Sequence, residues 1–454
     1  MAKTKSVFVC QQCGNESPKW TGRCTGCNSW NTFIEELKIT NSTSGRHMVA
    51  QSKDTVKPRP FSEVSKEDYK RKTSKFKEFD RILGGGTVPG SFILLGGEPG
   101  IGKSTLALQL ALHSDDKILY VSGEESAGQI KARAERIGKC NDNCLVYNET
   151  DVDKILIQVK NVCPSLIIID SIQTIYTPLI ESAPGSVSQV RESATRLLRV
   201  IKEMVIPVIL IGHITKEGSI AGPKVLEHIV DTVIQFEGDH NLNYRIIRTI
   251  KNRFGAVPEL AIFEMGQKGL SEVLNPSSYF LHSNINNLSG VTITCTIDGY
   301  KPLLIETQAL VSTAVYGTPQ RSATGIDIRR LNMLLAVIEK KGGLNLSNKD
   351  VFLNFTGGIK IQDTSADLAI IAAIVSSGSD KAIDAKTCCC AEVSLTGELR
   401  PVSKIEQRIA EAHKLGFNKI VVSAGHKELE KRNGIEIKKA SSLIDALKLI
   451  FRNT

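Results

Sequence analysis

The sequence predicts an α/β protein built on a nucleotide-binding core, with a small metal-stapled module ahead of it and an α+β domain behind. Three observations carry this reading. A complete phosphate-binding loop, Gly97-Glu98-Pro99-Gly100-Ile101-Gly102-Lys103-Ser104, matches G-x4-G-K-S. Short apolar runs alternate with helical stretches on both sides of it. Four cysteines near the N-terminus, Cys10, Cys13, Cys24 and Cys27, are spaced C-x2-C-x10-C-x2-C.

The core elements follow in order. SFILLG (91–96) runs into the loop, and a helix over 103–113 leaves it. KILYVS (117–122), LIIID (166–170) and PVILIGH (207–213) are further strands, with an amphipathic helix over 187–204. Unbroken Val/Ile/Leu runs point to a mostly parallel sheet buried on both faces. TVIQFE (232–237) and YRIIRTIK (244–251) read as a hairpin added at the end. The expected domains are 1–36, a linker over 37–60, the ATPase core over 61–275, and the α+β domain over 276–454, which ends in a strand over 419–424 and a helix over 438–451.

Composition narrows the function class. The chain of 454 residues carries a net charge of +9, a modest basic excess that suits nucleic acid without demanding it. No run reaches the roughly 18 apolar residues of a membrane span. The first residues lack the apolar stretch of a secretory signal, so a cytoplasmic protein with no membrane partner is expected. In that reducing setting the 11 cysteines are expected to stay free of disulfides, and Cys388, Cys389 and Cys390 read as a small buried apolar run.

Each C-x2-C pair forms a knuckle that brings two thiolates to one ion, and two knuckles make the tetrahedral site that Zn2+ prefers. A module this short has too little core to fold without that metal, and with four ligands the site is structural. Gly14 and Gly26 are the expected turn glycines. Trp20 and Trp30 either meet a partner or cover the metal core.

In the nucleotide site, loop amides are expected to wrap the phosphates of ATP, with Lys103 offsetting their charge and Ser104, followed by Thr105, opening the helix and ligating Mg2+. Asp170, at the end of an apolar strand, is placed to order the Mg2+. Glu124 or Glu125 follows the next strand, where a carboxylate can orient or deprotonate the attacking water; Glu124 is preferred.

Strand, loop, strand with Glu124, strand with Asp170 and strand ending at His213 follow the order of a RecA-like ATPase core. LGGGTVPGSFILLGGEPGIGKSTL, LYVSGEES, GHITKEGSIAGPKVLEHIVDTVIQFEGD and Lys251-Asn252-Arg253-Phe254-Gly255 together resemble the bacterial RadA (Sms) family over essentially the whole chain apart from the linker. The resemblance implies a zinc finger, a RecA-like core and a Lon-protease-like domain. It also implies a homohexameric ring that hydrolyses ATP, binds single-stranded and branched DNA, and drives branch migration in DNA repair beside a RecA-type recombinase. Lys251 and Arg253 then act across the subunit interface on the neighbour's γ-phosphate. The resemblance puts loops 176–186, with Arg191 beyond it, and 215–224, with Lys216 and Lys224, where RecA-like proteins have DNA-binding loops; a plain mobile surface loop is the alternative for each. A RecA-like ATPase acting on protein partners is the alternative.

The Lon likeness raises a protease question. It puts Ser365 at the nucleophile position, where RadA proteins resemble the segment with alanine. It puts Arg408 where the catalytic lysine would be, and an arginine stays protonated and cannot serve as general base. The plain alternative makes Thr364-x-x-Asp367 a capping box, with Ser365 an ordinary first-turn residue. An ATP-dependent Ser protease is therefore the least favoured reading.

Overall fold

A computed structural model describes residues 3–10, 12, 14–40, 60, 62, 70–213, 223–237, 244–257, 259–274, 277–281, 288–299, 301–314, 318–427, 429 and 434–451. The chain divides into two compact units, Met1–Leu274 and Asn275–Thr454.

The first unit carries a nine-stranded sheet. Its order is Gly269–Glu272, Glu259–Gly266, Tyr244–Asn252, Thr232–Glu237, Phe92–Gly97, Val208–His213, Leu166–Asp170, Ile118–Ser122 and Cys144–Asn148. The strands from Thr232–Glu237 to Cys144–Asn148 run parallel. Thr232–Glu237 and Tyr244–Asn252 then pair antiparallel, as do the two strands beyond. Phe92–Gly97 and Ile118–Ser122 are buried at every position, because helices cover both faces and every side chain must be apolar or paired. One face packs Leu106, Leu110, Tyr120 and Ile209, and the other Leu94, Val121, Ile169 and Leu197. Register sets the functional edge: Gly97 lies opposite His213 and Ser122 opposite Asp170. Four strands therefore deliver their last residues to one line.

Ahead of this core, strands Lys3–Cys10, Glu16–Ser17 and Phe33–Thr40 form a three-stranded antiparallel sheet. Its small core is Cys10, Cys24 and Phe33, with Phe8 and Cys27 packed against it.

The second unit has a seven-stranded mixed sheet in the order Arg321–Thr324, Lys349–Phe355, Lys301–Thr313, Val291–Asp298, Thr387–Cys390, Lys419–Ser423 and Glu436–Ala440. Cys388, Cys389 and Cys390 are fully buried, and burial pushes their thiols up, that of Cys390 to about 11. The helix expected over 438–451 is shorter than read. Glu436–Ala440 is a strand on the edge of Lys419–Ser423, and the helix is Leu443–Phe451. The open sheet edge offers a backbone ladder, and Ser442 Oγ accepts from Asp445 N at 3.2 Å, setting the helix start after the strand.

The capping box at Thr364 is also overturned. Asp363 is the N-cap, accepting from Ser365 N at 3.0 Å. Thr364 Oγ1 donates to Glu392 instead, and Asp367 is taken by Arg330. Nor is Ser365 an ordinary first-turn residue. It is fully buried, and its Oγ accepts from Arg408 Nη1 at 2.7 Å. Arg408, 1% exposed, also donates to Cys295 O at 2.6 Å and pairs with Asp363 at 2.7 Å. Burial pushes the Asp363 carboxyl up, but the Arg408 charge and the amides of Ile297 and Ser365 outweigh it and hold it below the usual carboxylate range. Ser365 and Arg408 thus meet as a nucleophile and its base would, yet the guanidinium donates to the hydroxyl and cannot withdraw its proton.

Removing one partner of a buried ion pair leaves the other uncompensated. Arg408→Ala is expected to lower the unfolding free energy of the second unit by about 3–5 kcal/mol. Urea denaturation followed by circular dichroism checks this; a loss within experimental scatter would contradict the pairing.

Candidate nucleotide-binding site

The phosphate-binding loop links the fully buried strand Phe92–Gly97 to the helix Lys103–His113. Gly100 and Gly102 have φ of 76° and 115°, in the left-handed region that side chains avoid. A Cβ on Gly102 would also come within 2.7 Å of Met265 Cε. These turns leave the first amides of the helix directed into the loop, where the helix dipole favours an anion. Ser104 and Thr105 stand in that first turn.

Lys103 is 3% exposed. Its ammonium donates to Gly97 O at 2.9 Å and Glu98 O at 2.8 Å, so the side chain folds back along the loop. Burial lowers it to about 8 against the opposing pull of Asp170, Glu124 and Glu98. Asp170, equally buried, accepts from Ser104 Oγ at 3.1 Å and from Tyr120 OH at 2.7 Å. Burial raises its carboxyl, and those two hydrogen bonds partly offset the rise. Ser104 and Asp170 thus present adjacent oxygens beside the loop, a hard oxygen set suited to Mg2+.

Glu124 and Glu125 face different partners. Glu124 accepts from Ser171 Oγ and lies 3.1 Å from His213 Nε2. The His213 contact holds its carboxyl below the usual range, helped by Ser171 and by the Lys103 charge, against burial. Glu125 is paired with Arg133. No sequence pattern gives Tyr120, Ser171 or His213 a role in the site. Tyr120 and His213 read as strand filler and strand end, and only the register that aligns four strand ends reveals them.

Lys251 and Arg253 lie at the other end of the sheet. Lys251 pairs with Val233 and Asn252 with Thr232, which faces Ile93, four residues before Gly97 on the loop strand. At about 3.3 Å per residue this places them roughly 13 Å from the loop along the strand direction. Lys251 Nζ donates to Glu227 O at 2.5 Å and Val230 O at 2.8 Å. Arg253, with its side chain 57% exposed, pairs with Asp231 at 3.4 Å. Gly255 packs on the glycine turn: a Cβ there would come within 3.0 Å of Gly84 Cα. Neither cation reaches the loop of its own chain.

Loop 176–186 is clamped by Gln189, which donates to Thr177 O, Ile180 O and Ser182 O and accepts from Thr177 N. Arg191 donates to Gly14 O at 3.4 Å. Lys216 lies outside the described residues, as does most of loop 215–224 and the side chain of Lys224.

In the metal module the sulfurs of Cys10, Cys24 and Cys27 lie within 4.8 Å of one another; Cys13 is outside the described residues. Gly14 N donates to Cys10 O at 2.8 Å and Asn28 N to Cys24 O at 2.9 Å, so both knuckles turn alike. Gly14 has φ 70°, but the matching residue of the second knuckle is Asn28 at 61°, not Gly26. Asn tolerates the left-handed region and follows Cys27 as Gly14 follows Cys13. Three converging thiols, two of them buried, with little else in the core fit Zn2+.

A phosphate next to Lys103 favours its charged form, so nucleotide binding is expected to take up protons above pH 8. With the free group at about 8, binding at that pH should take up about half a proton. Calorimetry in buffers of different ionisation enthalpy measures this uptake. Equal enthalpies in every buffer would contradict it.

Residues 8–35 match the family model of the rubredoxin metal binding domain, residues 58–219 that of the AAA domain, and residues 307–426 that of subunit ChlI of Mg-chelatase. The chain is 47% identical over 453 residues to DNA repair protein RadA of Bacillus subtilis (strain 168), covering 99% of both chains. It is 46% identical over 424 residues to DNA repair protein RadA of Listeria monocytogenes serovar 1/2a, covering 93% of this chain and 92% of that one. Among solved structures, a KaiC-like protein from Pyrococcus horikoshii OT3 is 23% identical, with TM-score 0.38, and covers 45% of this chain and 99% of that one. With a zinc ribbon, a RecA-like P-loop core and a C-terminal α+β unit in this order, and with that identity along nearly its full length, the chain belongs to the bacterial RadA family.

Proposed function

We propose that this protein is a DNA-dependent ATPase that works as a homohexameric ring and processes recombination intermediates in DNA repair by branch migration. The observation that carries the reading is the separation of two half-sites on one chain: Lys103, Ser104, Asp170 and Glu124 at one end of the sheet, Lys251 and Arg253 at the other. A ring of like subunits, each placing its far end on the next subunit's loop, joins the halves without moving either.

In this reading Lys103 leaves the carbonyls of Gly97 and Glu98 and turns its charge to the β- and γ-phosphates of ATP. Ser104 and Asp170 would hold Mg2+, which supplies charge neutralisation to the phosphate oxygens. Glu124, kept ionised by His213 and Ser171, accepts a proton from the attacking water. Arg253 and Lys251 of the adjacent subunit offset the charge that builds on the γ-phosphate. Single-stranded and branched DNA are the proposed substrates and a RecA-type recombinase the proposed partner; the relatives' designation as DNA repair proteins supports this.

The test is the steady-state ATPase rate of the full chain with and without single-stranded DNA, beside Lys103→Ala. DNA is expected to raise the rate several-fold, and the variant to lose both basal and stimulated hydrolysis. Hydrolysis indifferent to DNA at low salt would favour a RecA-like ATPase acting on protein partners.

A further inference from the structure

The metal module carries both tryptophans of the chain, Trp20 and Trp30, and both are exposed, at 54% and 68%. Neither belongs to the core around the sulfurs, which Phe33 and Phe8 fill. Indole rings are large apolar surfaces that a fold ordinarily covers, so two of them bare on one small module call for an occupant.

The backbone holds the rings together. Arg23 and Trp30 form an antiparallel bridge, and Asn31 N donates to Gly22 O at 2.8 Å. Gly22 lies between the two indoles: a Cβ on it would stand 3.7 Å from Trp20 Cη2 and 3.8 Å from Trp30 Cζ3. The Arg23 guanidinium sits 5.8 Å from the Trp30 ring centroid and donates from Nε to Asn28 O at 3.2 Å, which fixes its position. Lys19 is exposed beside Trp20. Residues 19–32 contain these two cations and no Asp or Glu.

We propose that Trp20 and Trp30, flanked by Lys19 and Arg23, form a stacking platform for unpaired bases of single-stranded DNA. Flat aromatic faces accept any base, and the adjacent cations meet the phosphates that link successive bases. A stretch, residues 19–32, that carries two cations and no Asp or Glu suits a polyanion better than an acidic or neutral protein face. The proposal rests on the reading of this protein as one that binds DNA.

Because the chain has no other tryptophan, emission excited at the red edge, where its eight tyrosines do not absorb, reports from this surface alone. The full-length protein is titrated with oligo(dT) at low salt, reading tryptophan emission and, in parallel, the anisotropy of a labelled oligo(dT). Emission is expected to be quenched over the concentration range in which anisotropy rises. Trp20→Ala with Trp30→Ala should weaken oligo(dT) binding by roughly tenfold or more, with zinc content and basal ATPase rate retained. The paired phenylalanine substitutions should restore most of the affinity. A rise in anisotropy with unchanged emission, or full affinity in the alanine variant, would overturn the platform while leaving DNA binding to other surfaces. No rise in anisotropy at any concentration would overturn the DNA reading itself, and the platform with it.

Discussion

The nucleotide site depends on one constraint: a lysine charge buried at the end of a parallel sheet. Lys103 is almost fully enclosed, and its ammonium must be satisfied whether or not a phosphate is present. The loop meets that demand with two of its own carbonyls, from Gly97 and Glu98. Asp170 and Glu124 oppose the depression that burial imposes. Those carboxylates carry the same burden in reverse, and Ser104, Tyr120, Ser171 and His213 hold them. The site is therefore an assembled polar network in which each charge is balanced locally and is held ready for a ligand that brings negative charge of its own.

The second unit solves a similar problem to a different end. Arg408 is enclosed with Asp363, Ser365 and Cys295 O: its Nη1 meets all three, and its Nε donates to Ser403 O. The same neighbourhood with a lysine would offer a titratable amine beside a buried hydroxyl. With a permanent guanidinium it is a structural knot.

Much of this was legible in the chain. Unbroken runs such as LIIID are strands as read, and the helices Lys103–His113 and Val187–Met204 begin and end where their periodicity and flanking residues place them. What the sequence hid depends on register and competition. That Glu124 faces His213 across 89 positions follows from strand order, which no local pattern encodes. Glu436–Ala440 pairs as a strand because an open edge was available, although its residues suit a helix as well. At Thr364 a local capping pattern lost to Asp363, Glu392 and Arg330, and Ser365 beside it is held by a buried arginine 43 positions away. Likewise Asn28 rather than Gly26 takes the left-handed turn, since the position after the second cysteine of a knuckle sets the demand, not the presence of glycine.

The separation of Lys251 and Arg253 from the loop of their own chain makes a shared site the central claim, and mixing two inactive variants tests it most directly. Lys103→Ala spoils the loop and leaves the cations; Arg253→Ala does the reverse. Each alone should hydrolyse ATP poorly, whereas an equal mixture of the two, reassembled, should regain about a quarter of the native rate, the share of interfaces that join an intact loop to an intact arginine. A mixture no more active than its two components, from subunits shown to exchange, would contradict a site built across the interface.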